Sequence, residues 1–191
     1  MKTLSEIDTT SKRATRGAGF SWGIAEEVGK NMRLLELYGL PGIKNLNKFL
    51  KDYKEKKFHK ITLISHSNNA NKNPFCPIIL GANFIDQVKL LDKKINIKIS
   101  NVAFPILFLP FVSRASEIVG KKIFLNFDDK EFLFNLNQSI YSNYLKNEIL
   151  ENCNNIKISF IENNNSFNED EWKELYKLSE DTFVEETESL K

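Results

Sequence analysis

The sequence predicts an α+β protein, with an N-terminal three-helix unit packed on a small, mainly antiparallel sheet with additional helices. Three observations carry this. Apolar residues recur at three- and four-residue spacing through positions 1–58, broken by glycine and proline. Ile95, Ile97 and Ile99, and later Ile123, Leu125 and Phe127, occupy alternate positions, as in half-buried strands. Asp128-Asp129 then separates the second run from a returning segment, Glu131 to Asn135, which reads as a hairpin. The 191 residues suffice for a single domain with a real core. It divides into a helical N-terminal unit, residues 1–58, and an α+β core, residues 59–191.

The elements follow in order. Thr3-x-x-Glu6 is a capping box that opens the first helix. Leu4, Ile7, Ser11, Ala14 and Ala18 give it a thin apolar face, and Gly17 and Gly19 end it. Ser21 caps the second helix. Its stripe is Ala25, Val28, Met32 and Leu35, widened by Leu34, Leu37 and Tyr38. Gly39 closes that helix and Pro41 blocks its continuation. A third helix turns Ile43, Leu46, Phe49, Leu50 and Tyr53 inward and its lysines outward. Lys60 to Ser65 reads as a short strand, and His66 to Asn73 as a polar loop. Pro74 to Pro77 forms a rigid entry to a helix from Ile78 to Leu91. Phe104 to Gly120 is a helix that starts at, or is broken by, Pro105 and Pro110, and its apolar residues belong to the core. Past the hairpin, the pattern predicts a polar helix over Gln138 to Leu150 and a strand over Ile156 to Ile161. Asn168 caps a last helix with Trp172, Leu175, Tyr176 and Leu178 facing inward. There is no internal repeat.

Composition excludes several function classes. Net charge is +2, from 27 basic and 25 acidic residues. Arginine occurs only at Arg13, Arg16, Arg33 and Arg114, and the densest lysine run, Lys51 to Lys60, also holds Asp52 and Glu55. That run reads as a solvated helix face, so no nucleic-acid partner is expected. Cys76 and Cys153 are far apart and form no CxxC pair, which points to reduced thiols rather than zinc or dithiol chemistry. The N-terminus lacks the apolar run of a signal peptide. The longest apolar stretch, Val102 to Val112, is about half the ~20 residues a membrane span needs. A cytoplasmic protein with no membrane segment is expected.

The densest concentration of unusual residues is Arg16-Gly17-Ala18-Gly19-Phe20-Ser21-Trp22-Gly23-Ile24-Ala25-Glu26-Glu27. It falls at a helix-loop-helix corner and has two readings. In one, Arg16 pairs with Glu26 or Glu27, whose charges suit the positive end of the second helix, and locks the corner. In the other, Arg16 and the free amides of Gly17 to Trp22 bind a small carboxylate or phosphate, with Trp22 as a wall. The candidate binding residues are then Arg16, Gly17, Gly19, Trp22 and Glu26. Trp22 is expected to be buried near Leu35 or Phe49. Glu26 and Glu27 are consecutive and point about 100° apart on a helix, so they are no acid–base pair. The Gly-x-Gly follows a helix, not a strand, so it matches neither the dinucleotide fingerprint nor the P-loop.

Cys76 precedes a helix, where a thiol can become a nucleophile with His59 or His66 as base. The competing reading is a buried apolar cysteine. The two histidines have no acidic partner at ligand spacing, so no metal and no cofactor is expected.

The corner, the leucine-rich helix after it and Gly39-Leu40-Pro41-Gly42 together resemble an uncharacterised bacterial family, domain of unknown function 3726. The resemblance extends to Cys76-Pro77 and to Ala103 through Val112. Thr182-Phe183-Val184 is similar to the family's Thr-Tyr-Val segment, beyond which the pattern implies a Gly-rich tail that these 191 residues do not include. The resemblance implies a shared fold and no activity. The expected function is a cytoplasmic, non-catalytic binding or accessory protein. It would recognise a small anionic metabolite or a partner protein at the Arg16–Glu27 corner, with a homo-oligomer as a further expectation. The alternative is a small-molecule enzyme using Cys76 or the Arg16/Glu26 pair.

Overall fold

Both halves of the N-terminal capping box form. Glu6 N donates to Thr3 Oγ1 (3.1 Å) and Thr3 N donates to Glu6 Oε2 (2.8 Å). They open α1, Leu4–Gly17, in the computed structural model, which describes residues 2–93 and 96–182. Gly19, at φ 101°, turns the chain in a conformation that other residues rarely adopt. Ser21 then caps α2, Trp22–Leu37, and α3 runs Gly42–Glu55. The predicted stripe of Ala25, Val28, Met32 and Leu35 is fully buried. α1 crosses α2 at Gly29, where a Cβ would stand 2.5 Å from Asp8 Oδ1 and 2.8 Å from the Asp8 carbonyl. Only glycine permits that approach.

The fold is α+β. Strands β1 (Ser67–Asn69), β2 (Ile97–Ala103), β3 (Lys122–Phe127), β4 (Lys130–Phe134), β5 (Ile140–Ser142) and β6 (Asn152–Ile161) form one sheet. Their order is β1-β2-β6-β3-β4-β5. β1 runs parallel to β2, and every other pairing is antiparallel. The β3–β4 hairpin is where the sequence predicts it. Its turn residue Asp128 sits at φ 52°. One face of the sheet is apolar, with Ile97, Ile99, Ile123, Leu125, Ile156 and Ile158 buried, while Lys98, Asn126 and Lys157 line the outer face.

α4 (Pro77–Leu91) and α5 (Leu109–Val119) cover the apolar face; between them the chain runs through β2 and then a 3₁₀ turn, Pro105–Phe108, that leads into α5. Both prolines thus stand at helix starts, where their missing N–H costs nothing. The three-helix unit meets this layer, and Phe49 of α3 lies 5.7 Å, centroid to centroid, from Phe104.

Three sequence expectations are corrected. Lys60 to Ser65 forms no strand; the edge strand β1 lies within the predicted loop His66 to Asn73. Its buried Asn68 accepts from Ser65 N (2.9 Å) and donates to Lys98 O (3.1 Å), so a polar residue stands where an apolar one marks a strand. Gln138 to Leu150 is not a helix but β5 and an irregular return. Its Asn and Ser side chains bond to backbone instead, with Asn143 Oδ1 accepting from Glu131 N (2.9 Å) and Ser142 Oγ donating to Glu131 O (2.9 Å). α6 (Glu169–Ser179) forms, with Asn168 and Glu171 in a capping box. None of its residues is buried, and Trp172, Leu175, Tyr176 and Leu178 all face solvent. Ile95, Phe183 and Val184 lie outside the described residues.

Candidate functional site

The corner is built differently from either sequence reading. Arg16 Nη1 donates to the Phe20 carbonyl (2.9 Å), and its guanidinium carbon stands 5.4 Å from the centroid of the Trp22 ring. Glu26 and Glu27 both turn to Lys30, at 3.3 and 3.2 Å. The Arg16–Glu26 lock is therefore absent. Lys30 lies one turn further along the same helix and meets both carboxylates without bridging the loop. Trp22 is not buried either: it is 59% exposed. It is the first residue of α2, and side chains lean towards the helix N-terminus, here into solvent. The anchor is Phe20, which is buried 4.6 Å from the Tyr53 ring and 6.3 Å from that of Phe49. A Cβ at Gly17, Gly19 or Gly23 would meet nothing within 4 Å, so of the three only Gly19 answers to a backbone requirement.

A cleft opens where the second half of the corner meets α4 and α5. Ser21, Gly23, Ile24 and Glu27 form one wall, with Ile85, Asp86, Phe111 and Ile118 opposite, and enclose about 430 Å³; the two carboxylates leave this part of the cleft to apolar groups rather than to an anion. A second depression of about 320 Å³ continues along α2, where Arg33, Leu34 and Leu37 face Pro110, Arg114 and Gln138. The two share Glu27 and Arg114. Arg16, Gly17, Gly19, Trp22 and Glu26 stand outside these walls.

The second depression is cationic on a partly apolar floor. Lys30 compensates Glu27, and Arg114 reaches Glu117 only at 3.4 Å. Gln138 Nε2 donates to that same Glu117 carboxylate at 2.7 Å. Arg33 has no ion pair among the described residues. Asn31 also lines the depression; it is 7% exposed, and its side-chain Nδ2 has no hydrogen-bond partner among the described residues. Buried amides are seldom left so. Sequence reasoning missed Asn31, Arg33 and Arg114 as a group. The one available signal was the scarcity of arginine. The packing of α5 across α2, which joins residues 81 positions apart in the chain, is not written in local spacing.

Cys76 is fully buried at the start of α4, and burial pushes its thiol up to about 11. At neutral pH it is a thiol, not a thiolate. His59 offers it only a backbone carbonyl, 2.9 Å from Cys76 N, while the His59 ring packs edge-on against Phe75 at 5.1 Å. His66 is exposed beside β1. Cys153 is buried as well, and its thiol is pushed up to about 12 by burial. Among the described residues no three of His, Cys, Asp and Glu gather in a way that could hold a metal ion. No helix among them is long and apolar enough to cross a membrane.

The corner and the whole α2 wall lie within one recognisable stretch. Residues 2–76 match the family model described as a protein of unknown function, DUF3726. No curated protein and no solved structure matches the chain. The DUF3726 stretch holds α1, α2, α3 and β1, and ends at Cys76. The cleft thus straddles its boundary: Arg33 and Asn31 belong to the DUF3726 stretch, and Arg114 lies beyond it.

Proposed function

We propose that this is a non-catalytic binding protein whose cleft along α2 and α5 takes a small ligand with an anionic head and an apolar body. The observation that carries this is the buried amide of Asn31, without a hydrogen-bond partner among the described residues, in a depression that Arg33 and Arg114 also line. An anionic head in this depression would find charged and amide donors along its walls. The apolar residues Ile24, Ile85, Phe111 and Ile118 would receive the rest of the ligand. Arg16 and Trp22 stand at the rim, since Ser21 and Gly23 on either side of Trp22 line the cleft. The corner then contributes an edge rather than the anion site itself. The two free, buried cysteines agree with a cytoplasmic setting.

Thermal melts with decanoate, decanol and inorganic phosphate test the reading. Decanoate should raise the melting temperature by mass action, and more than decanol or phosphate does. Arg33→Glu and Arg114→Glu should each abolish that gain. In dilute protein, where no second copy competes for the cleft, indifference to millimolar decanoate or a gain retained by both variants overturns it.

A further inference from the structure

α6 has a face that none of the described residues covers. Trp172, Leu175 and Tyr176 fall within about 100° of helix circumference. Phe167 extends the face by stacking on Trp172 at 5.4 Å, and all four are exposed. The helix begins with Glu169, Asp170 and Glu171. The groove along α2 offers the complement: Arg33 and Arg114 for the acidic turn, and Leu34, Leu37 and Ile118 for the aromatic and aliphatic face. Acidic amphipathic helices seat in cationic, apolar grooves in this manner.

We propose that α6 of a second copy docks in the groove between α2 and α5, so that two chains exchange helices in a symmetric dimer. Length fits: the 11 residues of α6 span about 16 Å, and the α2 wall from Ser21 to Leu37 about 24 Å. In its own chain α6 lies off that groove: none of its residues is buried, and none lines either depression. In the exchanged dimer each copy gives one helix and one groove, so every contact occurs twice. The proposal rests on the same groove as the ligand reading, and α6 and decanoate would compete for it.

Sedimentation velocity on the full chain, from sub-micromolar to sub-millimolar concentration, tests this together with fluorescence of a Trp22→Phe variant that reports Trp172 alone. The native chain should dimerise, and Trp172 emission should shift to the blue as it does so. Leu175→Glu, on a face that holds no buried residue, should weaken the dimer at least about tenfold with melting at low concentration unchanged. Arg33→Glu should weaken it similarly, and a mixture of Arg33→Glu with Glu171→Lys should form dimers that neither variant forms alone. A chain that stays monomeric throughout overturns the proposal, and a monomer with blue-shifted Trp172 emission shows α6 in its own groove and overturns it too. So does a dimer indifferent to Leu175→Glu. The ligand reading is judged separately on monomeric Leu175→Glu: decanoate stabilisation there upholds it whatever the native chain's oligomeric state, and its absence sinks that reading while leaving a native dimer standing.

Discussion

α2 and α6 are the two helices most alike in sequence logic and least alike in fate. Each opens on a side-chain cap, Ser21 and Asn168, and each carries large apolar residues at helical spacing. α2 buries its stripe between α1, α3 and the α4–α5 layer; α6 buries nothing among the described residues. Amphipathic spacing states which side of a helix is apolar. Whether another surface arrives to cover that side depends on what else is built to approach it. For α2 that construction is visible: Gly29 admits α1, and Gly42 admits the start of α3 against the Leu35 side chain. Among the described residues nothing comparable stands beside α6.

The widest separation between the two helices should come from truncating one leucine in each. Leu35→Ala should cost about 2–5 kcal/mol, because the side chain is fully buried and leaves a cavity. Leu175→Ala, measured at low protein concentration, should stay within about 0.5 kcal/mol of the native chain. Chemical denaturation of both variants decides it. A cost above 1 kcal/mol at Leu175 in dilute solution would mean α6 packs on its own chain.

Glycine sharpens the same contrast inside α2. Gly29→Ala should destabilise by about 1–3 kcal/mol, since the new methyl would press on the Asp8 backbone. Gly23→Ala meets open space in a helix and should stabilise by up to about 1 kcal/mol. Equal midpoints for the two variants would show that α1 does not approach α2 as closely as described.

The smallest effect concerns charge. Asp52 of α3 is buried, which pushes its carboxyl up, but Lys56 at 2.8 Å and Lys48 at 3.0 Å overcome this and hold it below the ordinary value. The folded state therefore binds the proton less readily than the unfolded chain. The contribution is complete above about pH 4, the unfolded value, and is lost as pH falls through the folded one. Asp52→Asn should remove roughly 1 kcal/mol at neutral pH and flatten the acid limb of the stability curve. In α6, Asp170 and Lys173 are exposed and 3.8 Å apart, and Asp170→Asn should leave the neutral-pH denaturation midpoint in place.

The residues explain how far the sequence could be followed. The caps at Thr3, Ser21 and Asn168, the turn at Gly19, the prolines at helix starts and the β3–β4 hairpin were legible because each is decided within a few positions. The corner was legible as a corner, but its chemistry was not. Arg16 had four nearby partners to choose from, and a carbonyl and an aromatic ring prevailed over two carboxylates that Lys30 reached more easily. β1 and the return through residues 143–151 escaped because asparagine and serine side chains bond there to backbone, which spacing reads as loop or as helix.

By itself the sequence determined the helices that form and their caps, the alternating strands and the identity of a corner, since propensity, capping and turn chemistry act over short range. Only the tertiary structure decided that β6 lies between β2 and β3, that Phe20 rather than Trp22 is the anchor, and that Arg114 stands across a cleft from Arg33. It also left the stripe of α6 in solvent. These outcomes rest on contacts between distant segments, whose free energy comes from the fit of two surfaces and cannot be assigned to either one alone.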